Sequence, residues 1–406
     1  MPSNRDILPP PRFYPNRWMM GLLGQDAFSR LKKNRWAWNS GILLLALLVI
    51  AFMTPVLPLQ SPIHGDLQDR RFESPNFRVQ TLVQTTDLGF PDNSLRAAFR
   101  QYKEQLSALD ERVAQADSKT GREALIQERS RMAETLNPLN KLWHHPSATT
   151  QLLLRTRLLL FGETCLPSIF GCDDQGRDVL ARVFWGSRVS LTVGLIAALV
   201  SLLIGVTYGA VAGFAGGWVD SLMMRLVDTL YSIPFIFVVI FLITLLDAEE
   251  WKNTLATWNI DRTAIFYVMI GAIYWLTMAR VVRGQVLSLK TESFVEAATA
   301  IGFPRRRILF LHLLPNTMGV VLVYLTLTIP SVILFEAFLS FLGMGVSPPD
   351  VSWGLLVNEG LQVITPIETK WWIAAFPSLV MSVTLLALNF LGDGLRDALD
   401  PKLKGR

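Results

Sequence analysis

Apolar residues along this chain fall in blocks, and the longest, Gly41 to Leu59 and Val189 to Val211, are about as long as the roughly 20 residues a helix needs to cross the hydrocarbon layer. Marking every such block predicts six membrane-spanning helices, at about 41–59, 189–212, 229–246, 264–282, 317–342 and 372–392. The expected fold class is therefore all-α and integral to a membrane. Between the first two spans the pattern changes. Leu95, Phe99, Tyr102, Leu106, Leu109 and Val113 recur at alternating spacings of four and three, which is one stripe of a helix. Thr120 and Glu123 have capping-box spacing, and Leu125, Met132 and Leu136 continue a second apolar face. With Lys119, Thr120 and Gly121 as the turn, residues 94–136 read as a helical hairpin outside the membrane.

The placement of basic residues orients the spans. Arg30, Lys32, Lys33 and Arg35 precede the first span, with Arg5, Arg12 and Arg17 further out, so the positive-inside rule puts the N-terminus in the cytoplasm. Six crossings return the C-terminus, with Arg396, Lys402, Lys404 and Arg406, to the same side. The connection between the fourth and fifth spans, with Arg283, Lys290, Arg305, Arg306 and Arg307, also falls inside. The outer connections at 247–263 and 343–371 are acidic instead, through Asp247, Glu249, Glu250, Asp350 and Glu359. The long segment from 60 to 188 is rich in Arg yet falls outside, which the rule tolerates because long segments translocate largely regardless of charge.

Composition agrees: 51% of the 406 residues are hydrophobic and 17% charged, too apolar for an ordinary soluble domain. The net charge of +5 is explained by the cytoplasmic flanks, and with no basic-aromatic module no nucleic-acid partner is expected. The polar Met1 to Trp38 stretch and the length of the first apolar block make that block an anchor, not a cleaved signal. Two cysteines, Cys165 and Cys172, bracket six residues on the outer side; a disulfide and two unpaired thiols are both open readings. No metal site is assigned, and the pair His144 and His145 reads as surface. No Ser-His, His-Glu-x-x-His or paired-carboxylate constellation appears, so no catalytic residue is assigned, and no Gly-rich phosphate loop of the Walker type occurs.

The most specific stretch is Ser293-Phe-Val-Glu-Ala-Ala-Thr-Ala-Ile-Gly302, followed after nine residues by His312-Leu-Leu-Pro-Asn316. It resembles the Glu-Ala-Ala, Gly, Leu-Pro loop of ABC importer permeases, matched at Glu296, Ala297, Ala298, Gly302, Leu314 and Pro315. A short helix with small residues can approach a partner's groove closely. Glu296 can make charge-assisted contacts there, and Phe294 and Val295 offer an apolar anchor. Gly302 is expected to end that helix. Arg305 to Arg307 read as a positive-inside cluster, with lipid phosphate as the other reading.

The resemblance sharpens to the second membrane subunit of the oligopeptide/dipeptide permease group, through Arg30–Arg35, Gly171-Cys-Asp-Asp-Gln-Gly-Arg-Asp-Val-Leu-Ala-Arg182 with Gly186–Ser190, Glu336–Gly345, and Asn389–Pro401. Cys172 stands where the family usually has Thr, and the outer insertion is longer than usual. The resemblance implies a type I ABC importer permease fold in the cell inner membrane, ordered as follows: a cytoplasmic segment 1–38, a first helix 39–60, an extracytoplasmic insertion 61–187, a core permease domain 188–394 with coupling loop 284–316, and a cytoplasmic tail 395–406. It implies as partners a homologous permease subunit, two ABC ATPases, an extracytoplasmic substrate-binding protein and membrane lipid. ATP and Mg are used by the ATPases, with no cofactor on this chain. Peptides are the expected cargo, nickel chelates or peptide-like antibiotics the alternatives within the group. The hairpin reads either as a contact surface for a delivering protein or cover over the entrance, or as decoration packed on the transporter. Glu336, an ionisable group in the fifth span, has a translocation reading and a structural one. A gradient-driven secondary transporter is the rival from another class; it would want ionisable groups in mid-span, and Glu336 alone is one.

Overall fold

The computed structural model describes residues 25–77, 82–84, 95–115, 119–135, 137–143, 146–246, 248, 262–346, 348 and 350–399. The basic residues before 25, the His144 and His145 pair, Asp247, Glu249, Glu250 and the tail from 400 lie outside them.

In chain order the helices are α1 (Gln25–Lys33), α2 (Arg35–Met53), α3 (Leu95–Ala114), α4 (Lys119–Thr135), α5 (Ala148–Phe161), α6 (Val179–Ala215), α7 (Gly217–Ser232), α8 (Phe235–Leu246), α9 (Arg262–Lys290), α10 (Ser293–Ala300), α11 (Leu314–Phe341), α12 (Trp353–Gln362) and α13 (Trp371–Leu399). Residues 305–313 run into α11 without a break, the last six as a π-helical turn. The strands β1 (Val83–Gln84) and β2 (Thr164–Cys165) pair antiparallel, Val83 opposite Cys165. Among the described residues five helical stretches are long and apolar enough to span a membrane, or six if the bent pair α7–α8 counts as one.

The spans alternate in direction. Helices α6 and α9, the second and fourth spans, run parallel and very close, because Gly205, Gly209 and Gly213 put no side chain between them. A Cβ on Gly205 would come within 2.6 Å of Met278 Cβ, and one on Gly213 within 2.9 Å of the Arg283 carbonyl oxygen. In lipid, where apolar burial gives no preference for a protein neighbour, this close van der Waals approach holds helices together. Helices α11 and α13 pack beside α6, and α2 closes on α13 where Gly394 abuts Ala37. One end of the bundle thus carries α1, the start of α2, the end of α6, α10 and the end of α13. The other carries the start of α6, α12 and the start of α13.

Three expectations need correction. The second span begins at Val179, ten residues before the predicted edge at 189, because Asp178 caps it by accepting the Ala181 N–H at 2.9 Å. The boundary drawn between 187 and 188 therefore cuts a helix. The third span is not one straight helix over 229–246: α7 and α8 meet at 79°. Pro234 lacks an N–H and pushes Ile233 to an extended conformation, φ −79 and ψ 124, whereas Pro330 and Pro377 sit inside unbroken helices. Finally, Lys119, Thr120 and Gly121 are the first turn of α4 instead of the connecting turn. One Gly at a helix start costs little, and helix edges are the least legible feature of a sequence. Helices α3 and α4 are tied by Arg129, whose guanidinium grips Asp110 through both oxygens.

Candidate functional site

The loop from Thr291 to Pro304 projects from the end of the bundle between α9 and the helix that restarts at Arg305. Helix α10 forms there because Ala297, Ala298 and Ala300 give up little entropy in a helix. It stops because the chain turns left-handed at Gly302, φ +86. The Phe303 N–H donates back to the Ala298 carbonyl at 3.1 Å and the Gly302 N–H to that of Thr299 at 3.0 Å, which is a Schellman ending.

The two faces of α10 divide its residues differently from the sequence expectation. Val295 and Ala298 are 5% and 4% exposed and belong to the chain's own core with Val282, Val286, Ile308, Leu309 and Leu313; Phe294 and Leu314 pack on the same cluster. Val295 and Ala298 thus hold the short helix in place from its inner side, and Phe294 is half-buried against the same cluster. Ala297 and Pro315 are half-buried. The outward face is Ser293, Glu296, Thr299 and Ala300, followed by Ile301, an apolar side chain 66% exposed. Beside it lies an open groove of about 740 Å³ bordered by Phe214, Ala215, Lys290, Glu296, Phe303 and Arg305.

One ion pair and two further contacts of basic side chains brace the base of this loop. Arg283 donates through Nε and Nη2 to the two carboxylate oxygens of Asp220 at 2.6 and 2.7 Å, fixing α9 to α7. Lys290 Nζ donates to the Phe214 carbonyl at 2.8 Å, satisfying an orphan oxygen at the end of α6. Arg307 lies over the Phe303 ring at 4.5 Å, which packs one member of the basic cluster against the loop. The exposed face of a short, braced helix is a shape suited to seating in a partner's groove.

At the opposite end, the segment Gly171–Arg182 builds a buried charge cluster. Asp173 Oδ2 accepts from Arg177 Nε at 2.7 Å and from Arg182 Nη1 at 2.6 Å, while its Oδ1 accepts the Gln175 and Arg177 N–H groups, both at 2.9 Å. Arg182 reaches on to Glu359 of α12. Trp353, fully buried, donates its indole N–H to the Val183 carbonyl at 3.0 Å, and its backbone N–H to Ser190 Oγ at 3.0 Å. Glu336 is also fully buried, taking a hydrogen bond from Ser340 Oγ at 2.8 Å one turn on.

Two comparisons bear on this arrangement. Residues 205–405 match the sequence model of the binding-protein-dependent transport system inner membrane component family, and residues 23–75 match that of the N-terminal TM domain of oligopeptide transport permease C. The chain is 47% identical over 233 residues to an oligopeptide transport system permease protein of Haemophilus influenzae, covering 57% of this chain and 70% of the relative. Its Salmonella typhimurium counterpart is 52% identical over the same share of this chain and 72% of its own. A dipeptide transport system permease protein of Bacillus subtilis is 46% identical, over 58% of this chain and 69% of its own. The chain belongs to this permease family.

The permease therefore carries the α10 loop and α12 within the matched segment 205–405. Sequence reasoning did not single out the exposed Ile301, the Lys290 bond to Phe214 or the reach of Arg182 to Glu359. An acid in the otherwise uncharged Trp353–Gln362 segment was a signal for Glu359; nothing in the local pattern distinguished Ile301 from its buried neighbours. The cysteine bridge is also absent. Cys165 and Cys172 are separate free thiols, both fully buried, and the Cys172 sulfur lies 3.4 Å from Arg70 Nη2 and 3.3 Å from Ser168 Oγ. Cys165 sits instead in the short β1–β2 pairing, its backbone opposite Val83. Burial pushes the Cys165 thiol up to about 11 and the Cys172 thiol up to about 12.

Proposed function

We propose that the permease is one of two membrane-spanning subunits of an ATP-driven importer that brings peptides of the oligopeptide or dipeptide type across the cytoplasmic membrane. The observation that carries this reading is the high identity to oligopeptide and dipeptide permeases over a stretch of 233 residues or more. The cargo crosses between this subunit and a homologous partner, after delivery by an extracytoplasmic binding protein.

ATP is hydrolysed by separate subunits that seat on the outward face of α10. Glu296 supplies charge-assisted contacts to them and Ile301 the apolar anchor, while Val295, Ala298 and Gly302 hold the helix in register. Both termini and α10 face the cytoplasm, which is supported by the contact of Gly394 with Ala37 and by the basic residues at that end. Glu336 serves packing near the outer end of α11, supported by its complete burial and its bond from Ser340.

The test is reconstitution of the permease with its partner subunits in liposomes, measuring peptide uptake and ATPase retention for wild type, Glu296→Arg and Ile301→Asp. Loss of both uptake and retention is expected. Unchanged uptake in both variants would remove α10 from the coupling role and bring forward a gradient-driven transporter.

A further inference from the structure

Helix α5 keeps different company on its two faces. Its inner face is fixed to the permease: Leu154 is fully buried with Leu139 and Trp185, beside the stacked Trp143 and Trp185 rings 4.0 Å apart. Arg157 Nη2 donates to the Leu59 carbonyl at 2.6 Å, and Arg188 Nη2 to Thr150 Oγ1 at 3.2 Å. The outer face is leucine. Leu152, Leu159 and Leu160 are 66%, 87% and 66% exposed, with exposed Arg155 between them. Positions 152, 155 and 159, spaced by three and four, share one side of the helix.

The level of this face identifies what covers it. Helix α2 has 19 residues, about 28 Å at about 1.5 Å per residue, against a hydrocarbon layer of about 30 Å. Thr54 therefore marks where the first span leaves the hydrocarbon. Helix α5 packs on the turn Thr54–Val56 and is tied to Leu59 on one side of that level and to Arg188, inside the second span, on the other. Thr54 Oγ1 is itself 3.4 Å from the Phe184 carbonyl, which sets the two spans in register there. The exposed leucines thus lie at the level where α2, with its exposed Leu45, Leu48 and Phe52, leaves the hydrocarbon.

We propose that α5 is an interfacial helix seated in the leaflet on the side away from α10. Leu152, Leu159 and Leu160 sit among the upper acyl chains, and Arg155 extends to the lipid phosphates, the usual division for a long cationic side chain at this depth. The leaflet then fixes the base from which the α3–α4 hairpin rises, so that the membrane as well as the protein sets the pose of the insertion. The competing occupant is a second protein docked on the leucine face.

The experiment uses the full permease in its complex, reconstituted in proteoliposomes, with a fluorophore attached to Leu159→Cys, Leu152→Cys or, for reference, Gln101→Cys on α3. Cys165 and Cys172 are fully buried, so the parent chain supplies the unlabelled blank. Lipid carrying a nitroxide near the head of its acyl chain is expected to remove most emission at 159 and 152 and little at 101, with aqueous iodide giving the reverse order. Iodide quenching at 159 and 152 as strong as at 101 would overturn the proposal in favour of a water-facing helix. Protection from both quenchers would overturn it in favour of a protein partner.

Discussion

Arg182, in the first turn of α6, spans the gap to Glu359 of α12 with Nη1 2.5 Å from Oε2 and Nη2 3.2 Å from Oε1, while Nη1 also serves Asp173 at 2.6 Å. One guanidinium with almost no water around it joins the start of the second span to the outer helix near the end of the fifth. Removing one member of a buried, hydrogen-bonded set leaves an uncompensated charge, which typically costs about 3–5 kcal/mol. Asp173→Ala is expected to destabilise the permease by this order and Glu359→Ala by less, since the Glu359 side chain is 23% exposed. Thermal unfolding in detergent checks the ranking.

The two sides of α10 predict opposite phenotypes. Val295→Asp puts a charge into the core shared with Ile308 and Leu313, so expression and melting temperature are expected to fall. Ile301→Asp alters only an exposed side chain, so the permease is expected to fold normally and lose ATPase association. Comparing melting curves with co-purification separates the two.

Gly302 holds φ +86 with nothing within 4 Å of where a Cβ would stand. Gly302→Ala is therefore penalised by backbone conformation and not by collision, at about 1–2 kcal/mol. Coupling is expected to weaken without loss of the fold, with Gly302→Asn milder because Asn tolerates the left-handed region better than Ala. Uptake measured beside the modest fall in melting temperature that this penalty implies checks it.

Cys165 and Cys172 are buried, and burial pushes both thiols far above neutral pH, to about 11 and about 12. No maleimide labelling is expected at pH 7 in the native permease, and two thiols per chain are expected after denaturation without reductant. One or no thiol under those conditions would contradict the unbridged state.

Asp178, completely buried as the N-cap of α6, has its carboxyl pushed up to about 7 by burial, only partly offset by the Ala181 N–H and the nearby Arg70. Below the ordinary carboxylate range, near 3.8, both folded and unfolded chains hold the proton. Between there and about 7 the folded chain holds more of it, so this group's contribution to stability falls as pH rises and levels off above 7. Asp178→Asn keeps a capping side chain and is expected to flatten that slope. Melting temperature from pH 5 to 8, wild type against variant, is the measurement.

What the sequence determined by itself was whatever depends on neighbours in the chain. Apolar runs long enough to span located the helices, because a backbone in lipid must satisfy its own hydrogen bonds. Gly302 ending a short Ala-rich helix was legible for the same local reason. The tertiary structure decided what depends on partners distant in the chain. It turned Val295 and Ala298 inward, because the helix restarting at Arg305 supplies their core, and it left Ile301 outside. It bent the third span, where Pro234 breaks the ladder, yet kept α11 unbroken through Pro330. It recruited Glu359, 177 residues from Arg182, since a buried guanidinium takes whichever carboxylate the fold brings within reach, and no local pattern encodes that distance.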